Sequence, residues 1–403
     1  MSKESADLIA IDTSDVDRWL GKPVGGAQLK EPVTAGDIRA WVQAMHNPNP
    51  LHYDDEYAAA SIFGGLVAPQ SFTLACEQQH GVIAAHAGKI PGSHILWGGS
   101  EWTFYGPWIR PGDRIRCDRI PFDYQLKTTG FAGPTMFQRG DTVFFNQRDE
   151  MIARCRTTAV RYLLENARRL KIERSPSGED SSSEVEWSAE QIEQVQEEKH
   201  AYHRSFRERP PRKAEDLHVG EQLVRGVLGP HSIASFATEW RAYLWSRGWG
   251  GNRDDAHKDD DAGFSLGSGD AYRRRAKLDP EQIDIIYYGQ ARGHLDPKYA
   301  RLIGMPRPYG FGASMSCWVL DYVANWAGPF GLIVRSKYEA RGPVLSGDVT
   351  FLDATVTAVK AGEISAKPVA TLDVKMISHP AGVLLGKATL DVEFDAERIP
   401  ALV

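Results

Sequence analysis

The sequence predicts an α+β protein built from two similar halves, each a central helix wrapped by a curved antiparallel sheet. Three observations predict it. First, a short motif recurs: His52 is followed by Asp54, Tyr57 and Ala58 in "HYDDEYA", and His294 by Asp296, Tyr299 and Ala300 in "HLDPKYA". Four matched positions at fixed offsets mark an internal repeat. Second, each copy runs through a Gly/Pro segment, "FGGLVAPQSF" or "IGMPRPYGFG", into an apolar, helix-like stretch, "TLACEQQHGVIAAH" or "SMSCWVLDYVANW". Third, both halves then turn to alternating strands behind an aromatic, a Pro and a Gly-Asp turn, in "WTFYGPWIRPGDRIRC" and "KYEARGPVLSGDVTFLDATV".

The elements follow in order. Thr34 and Ser232 read as helix caps upstream of the two histidines. They enclose 17 and 61 residues respectively before His52 and His294, so roughly 44 residues are inserted in the second half. Late strands are read from "DTVFFNQRDEMIARCRTTAVRY" and "SAKPVATLDVKMISHPAGVLLGKATLDVEF", each alternating about a polar turn. Between the halves, "SPSGEDSSSE" from Ser175 to Glu184 is too polar to bury apolar surface and reads as a linker. After it, Ser188 caps a polar helix that ends at "RERPPRK". The domains are therefore placed at 1–165 and 216–403, with a linker and polar helix at 166–215 and an insertion at about 245–285.

Composition bounds the function. A chain of 403 residues with 42% hydrophobic content suits two domains. A net charge of −6 gives no global electrostatic case for nucleic acid or an anionic membrane. The four Cys, at 76, 117, 155 and 317, show no paired metal-ligand spacing and read as reduced, buried thiols. The N-terminal stretch is acidic without a sustained apolar run, and a soluble, cytoplasmic protein is expected.

A helix wrapped by a curved sheet is the hotdog domain, and two in tandem make a double hotdog. "NPNPLHYDDEYA" followed by "FGGLVAP" resembles the hydratase motif of the MaoC-like, (R)-specific enoyl-CoA hydratase/dehydratase family, usually G-D-x-N-P-L-H. "HLDPKYARLIGMPRPYGFG" and "GPVLSGD" look like the second half of tandem proteins of that kind. The resemblance implies hydration or dehydration of an α,β-unsaturated acyl-CoA thioester. It implies no metal or redox cofactor, CoA being part of the substrate, and a homodimer or a heteromeric partner.

Carried over residue by residue, the resemblance places His52 at the catalytic His and Asn49 and Pro50 at the Asn-Pro. Asn47 stands at the position of the catalytic Asp. An Asn amide can position a water but cannot take its proton. Ala68 and Pro69 stand where a His-Gly commonly opens the central helix, and Pro has no N–H to polarise a thioester carbonyl. The second half reverses this pattern: His294 is present and Gly310 and Gly312 offer backbone donors, but "YYGQARGH" lacks the Asp and the Asn-Pro. The candidate site is thus His52, Asn47 and His294 for chemistry and Asn49, Gly310 and Gly312 for substrate, with Arg273, Arg274 and Arg275 as a grip for a CoA phosphate.

Each residue also has a plainer reading. His52 and His294 could cap helices, Asp54 and Asp296 could be first-turn acids favoured by the helix dipole, and Tyr57 and Tyr299 could pack. The arginines could be a solvated charge run. "GGNRDDAHKDDDAG" lacks the closing Glu of a calcium loop. Two rival functions stay open. One is a helper or acyl-CoA-binding double hotdog, because neither half has the full set. The other is a hotdog thioesterase, with Glu77 or Asp321 as the carboxylate of a central helix. The 11 Trp and 14 Tyr suit a bulky or cyclic acyl group.

Overall fold

The computed structural model describes residues 8–77, 81–174, 185–207, 210–248, 291–303, 305–362 and 366–395. The linker 175–184, Arg273, Arg274, Arg275 and all of the insertion beyond 248 lie outside the described residues.

Among the described residues, ten strands form one antiparallel sheet in the order β1-β3-β4-β5-β2-β7-β10-β9-β8-β6. The first half contributes β1 (Ala27–Gln28), β2 (Ser93–Phe104), β3 (Arg116–Thr129), β4 (Gly133–Phe145) and β5 (Met151–Leu163). The second contributes β6 (Gly226–Leu228), β7 (Gly331–Ala340), β8 (Val349–Ala361), β9 (Pro368–His379) and β10 (Leu384–Phe394). Read outward from the β2–β7 pair, the two halves have the same strand order, so the sheet has a pseudo-twofold at that seam. There the backbones are very close: a Cβ on Gly99 would lie 2.4 Å from the Tyr338 carbonyl oxygen.

Helices α1 (Ser14–Asp17), α2 (Ala35–Ala44), α3 (Asp55–Ala60) and α4 (Leu164–Arg174) belong to the first half. The polar helix is α5 (Ala189–Arg207), and Ser188 caps it, its hydroxyl accepting from the Gln191 N–H at 3.2 Å. The second half has α6 (Ile233–Ala242), α7 (Arg292–Leu295), α8 (Pro297–Leu302) and α9 (Gly312–Ala327). Thr34 and Ser232 close capping boxes on α2 and α6, the cap role expected of them. Asp54 and Asp296 are the N-caps of α3 and α8, each accepting two backbone N–H bonds, one position ahead of the first-turn role read from sequence.

The central helices differ. "GASMSCWVLDYVANWA" holds no Pro and no internal Gly, runs for 16 residues as α9, and stops at Gly328, whose φ of 69° ends the helix. It is buried on nearly every side, as a helix enclosed by a sheet must be. In the first half the expected helix over "TLACEQQHGVIAAH" is replaced by a 3-10 segment, Gln70–Cys76, and a single turn, Ala84–His86. The chain leaves the 3-10 segment at Glu77, which is extended and fully buried. There Arg119 on β3 donates to its carboxylate at 2.7 Å and the Cys117 thiol donates at 2.9 Å. A buried carboxylate needs such a partner, and reaching β3 takes the backbone off the helical path. The turn at 84–86 then lies flat on the sheet, against Gly140, where any Cβ would meet the Ala84 backbone at 2.2 Å.

No helix among the described residues is long and apolar enough to cross a membrane, and none of their His, Cys, Asp and Glu groups could hold a metal ion.

Candidate active site

Both motif histidines are held the same way. His52 Nδ1 lies 2.8 Å from the Val67 carbonyl oxygen, and His294 Nδ1 lies 2.6 Å from that of Tyr309, each fifteen residues downstream. A carbonyl oxygen only accepts, so Nδ1 carries the proton and Nε2 is left with a lone pair. Burial holds both rings neutral, lowering each pKa to about 4 against the opposing pull of those carbonyls. The neighbouring His94 lowers His294 further. The repeat seen in sequence is thus also a repeat in how an imidazole is aimed.

Their surroundings diverge. His294 is half-buried on the wall of a cavity of about 800 Å³, within the range of small-molecule sites. Gly310, Gly312 and the first turn of α9 form one wall with it; Ile95, Leu96 and Trp97 of β2, Phe137 of β4 and Val160 of β5 form the other. Phe137 and Val160 stand on the face of the first half's sheet opposite to the one the 84–86 turn covers, which carries Gln138, Gly140 and Arg161. The cavity therefore runs along the end of β2 ahead of Gly99, where β2 does not pair with β7.

At the mouth of α9, the N–H groups of Gly312 and Ala313 have no intrahelical partner, and the N-cap Phe311 has no side-chain oxygen to satisfy them. They face a region of positive helix potential. Gly310 does not add to them, because its N–H donates to the Val344 carbonyl at 2.8 Å. Of the two glycines proposed as donors, only Gly312 keeps that capacity. It also packs tightly, a Cβ there meeting Trp97 Cβ at 2.9 Å.

Around His52 the packing is closed. His52 is 4% and Asn47 6% exposed. A cavity beside Ala68 and Pro69 has a volume of about 10 Å³, room for roughly one water. Pro69 caps the 3-10 segment with no donor, as its lack of an N–H requires. The Asn49 amide is committed, its oxygen accepting from Leu51 and its nitrogen donating to Asn325 Oδ1 at 3.0 Å. Asn47 Oδ1 accepts from the Asn49 N–H and from Asn325 Nδ2, while its own Nδ2 has no partner. From above, α5 seals the loop: Arg207 donates to the Pro48 carbonyl at 2.7 Å and to the Tyr53 hydroxyl at 2.6 Å.

Asp321, on the face of α9 that meets this loop, is the residue whose importance the sequence understated. It is 4% exposed, and neither carboxyl oxygen closes a hydrogen bond. Burial pushes it up to about 7, with Ser71 and Asn47 beside it pulling the other way. Where the motif usually has a carboxylate in the loop, this chain has Asn47 in the loop and a carboxyl facing it from the other half. Neither Asp321 nor Glu77 lines the large cavity.

Residues 18–155 match the sequence model of the FAS1-like dehydratase domain region. No curated protein matches the chain. Among solved structures, a MaoC-like dehydratase aligns over 94% of this chain and 100% of its own, at 14% identity and a TM-score of 0.58. A MaoC domain protein dehydratase from Chloroflexus aurantiacus aligns over 98% and 99%, at 12% identity and a TM-score of 0.54. A Mycobacterium tuberculosis protein with a double hotdog fold aligns over 93% and 96%, at 12% identity and a TM-score of 0.49. The resemblance read from the motif therefore holds for the dehydratase region of the first half, and over the whole chain the fold is shared with the first two of these structures.

Proposed function

We propose that the protein interconverts a 2-enoyl acyl-CoA thioester and its 3-hydroxyacyl-CoA, with the acyl group in the 800 Å³ cavity and His294 handling the proton. The observation that carries this reading is the meeting of a neutral imidazole, a helix N-terminus and a largely apolar cavity on one wall. A water hydrogen-bonded to His294 Nε2 gives up a proton to it as the oxygen bonds Cβ. The π electrons move onto the thioester oxygen, where the Gly312 and Ala313 N–H groups and the α9 dipole stabilise the charge. His294 then returns the proton to Cα, so one water is added in all. Burial, which keeps the ring neutral at rest, makes its protonated form a ready donor. The size of the cavity, about 800 Å³, supports a bulky acyl group.

The test is turnover of straight-chain, branched and ring-bearing trans-2-enoyl-CoAs. His294→Ala should lose roughly 10²-fold or more, the contribution of a positioned proton-transfer group. Folded His52→Ala should keep its rate, since His52 does not line the cavity. The acid limb of kcat/KM should lie near pH 4, with little change between pH 6 and 8. Loss in His52→Ala with full rate in His294→Ala would move the site to the first half. Binding of CoA esters by calorimetry with no turnover of any of them would favour the helper reading instead.

A further inference from the structure

The wall that the first half gives the cavity is not uniformly apolar. His94 on β2 and Tyr162 on β5 are directly opposed in the strand register, so their side chains stand on the same face of the sheet, and that face lines the cavity. Their rings meet edge to face at 5.6 Å. His94 is 6% exposed, and its Nε2 has no hydrogen-bond partner. His86 lines the same region from the 84–86 turn. Packing does not demand a polar pair here. On the same face the next cross-strand pair, Leu96 and Val160, lines the cavity and is apolar.

A hydrocarbon acyl group filling this cavity would leave the His94 nitrogen buried and unpaired, which costs more than a weak contact gains. We propose that the acyl group this cavity takes carries an oxygen function, a hydroxyl or a carbonyl, beyond the reacting carbons, and that His94 is its hydrogen-bond partner with Tyr162 beside it. The assignment rests on the proposed function of the cavity and names its substrate class. A neutral imidazole suits either oxygen, donating to a carbonyl or accepting from a hydroxyl according to its tautomer. Burial keeps His94 in that neutral form, lowering its pKa to about 4.

The test uses pairs of CoA thioesters with one carbon skeleton, with and without an oxygen on the acyl group, titrated by calorimetry into the intact protein. The oxygenated ester should bind roughly 10- to 100-fold more tightly. In His94→Phe, which keeps an aromatic ring against Tyr162, that preference should vanish while the alkyl ester binds at least as well. His94→Gln, if the Phe variant fails to fold, should retain part of the preference. Equal affinity within every pair, or a preference that survives His94→Phe, overturns the assignment while leaving the thioester reading intact. Failure of both members of every pair to bind overturns both.

Discussion

At the scale of single residues, the exchange of carboxyl and carboxamide between loop and helix decides what the first half can do. Asn47→Asp restores the wording of the hydratase motif, but in the folded protein it sets a second carboxyl beside Asp321 in a closed, buried place. Two such groups cannot both ionise. Asn47→Asp is therefore expected to lower Tm with no gain in hydration rate, and Asn47→Asp combined with Asp321→Asn to recover most of the loss. Asp321 itself should make stability depend on pH. Its folded pKa of about 7 lies above the unfolded value of 3.8, so its favourable contribution is complete at low pH and is lost as pH rises through that window. Thermal melts of Asp321→Asn and the parent at pH 5 and pH 8 should show the variant gaining relative stability at the higher pH. A constant difference between the two would show that Asp321 is ionised throughout.

At the scale of elements, α9 and the free end of β2 position the site. Gly312→Ala adds a methyl 2.9 Å from Trp97 Cβ at the mouth of α9. Displacing Trp97 or the helix start should lower kcat/KM roughly tenfold or more, because small misplacements of a donor are costly, while the melting curve changes little. Unchanged kinetics would separate the α9 N-terminus from the thioester. The sequence made α9 legible through its unbroken apolar run, and the capping residues Thr34, Ser188 and Ser232 through their hydroxyls at the head of helical stretches. It did not disclose that the first central helix fails. The apolar content of "TLACEQQHGVIAAH" is suited to burial in either conformation, and the deciding feature, the ion pair of Glu77 with Arg119, joins residues 42 positions apart. Both motif histidines were legible as well, since the local chain alone aims them. Which of them faces a cavity was not legible, because the opposite wall is made by β2, β4 and β5 of the other half. His94 and Tyr162 were missed for the same reason: each is unremarkable in its strand, and only the register pairs them.

At the scale of the whole molecule, the β2–β7 seam fuses the two halves into one sheet, so the cavity exists only while both are docked. Gly99→Val would force a side chain into the Tyr338 carbonyl. It should lower Tm by several degrees, as core overpacking does, and abolish CoA-ester binding before secondary structure is lost. Retained binding in that variant would mean that one half suffices. The division of labour that follows is asymmetric: the second half supplies His294 and the helix start, and the first supplies the acyl-binding wall. The most direct test is a crystal structure with a non-reacting acyl-CoA bound. The expected density places the thioester oxygen at the Gly312 and Ala313 N–H groups, Cβ beside His294 and the acyl group along β2 and β5. Density beside His52 and Asp321, with the large cavity left to solvent, would contradict it.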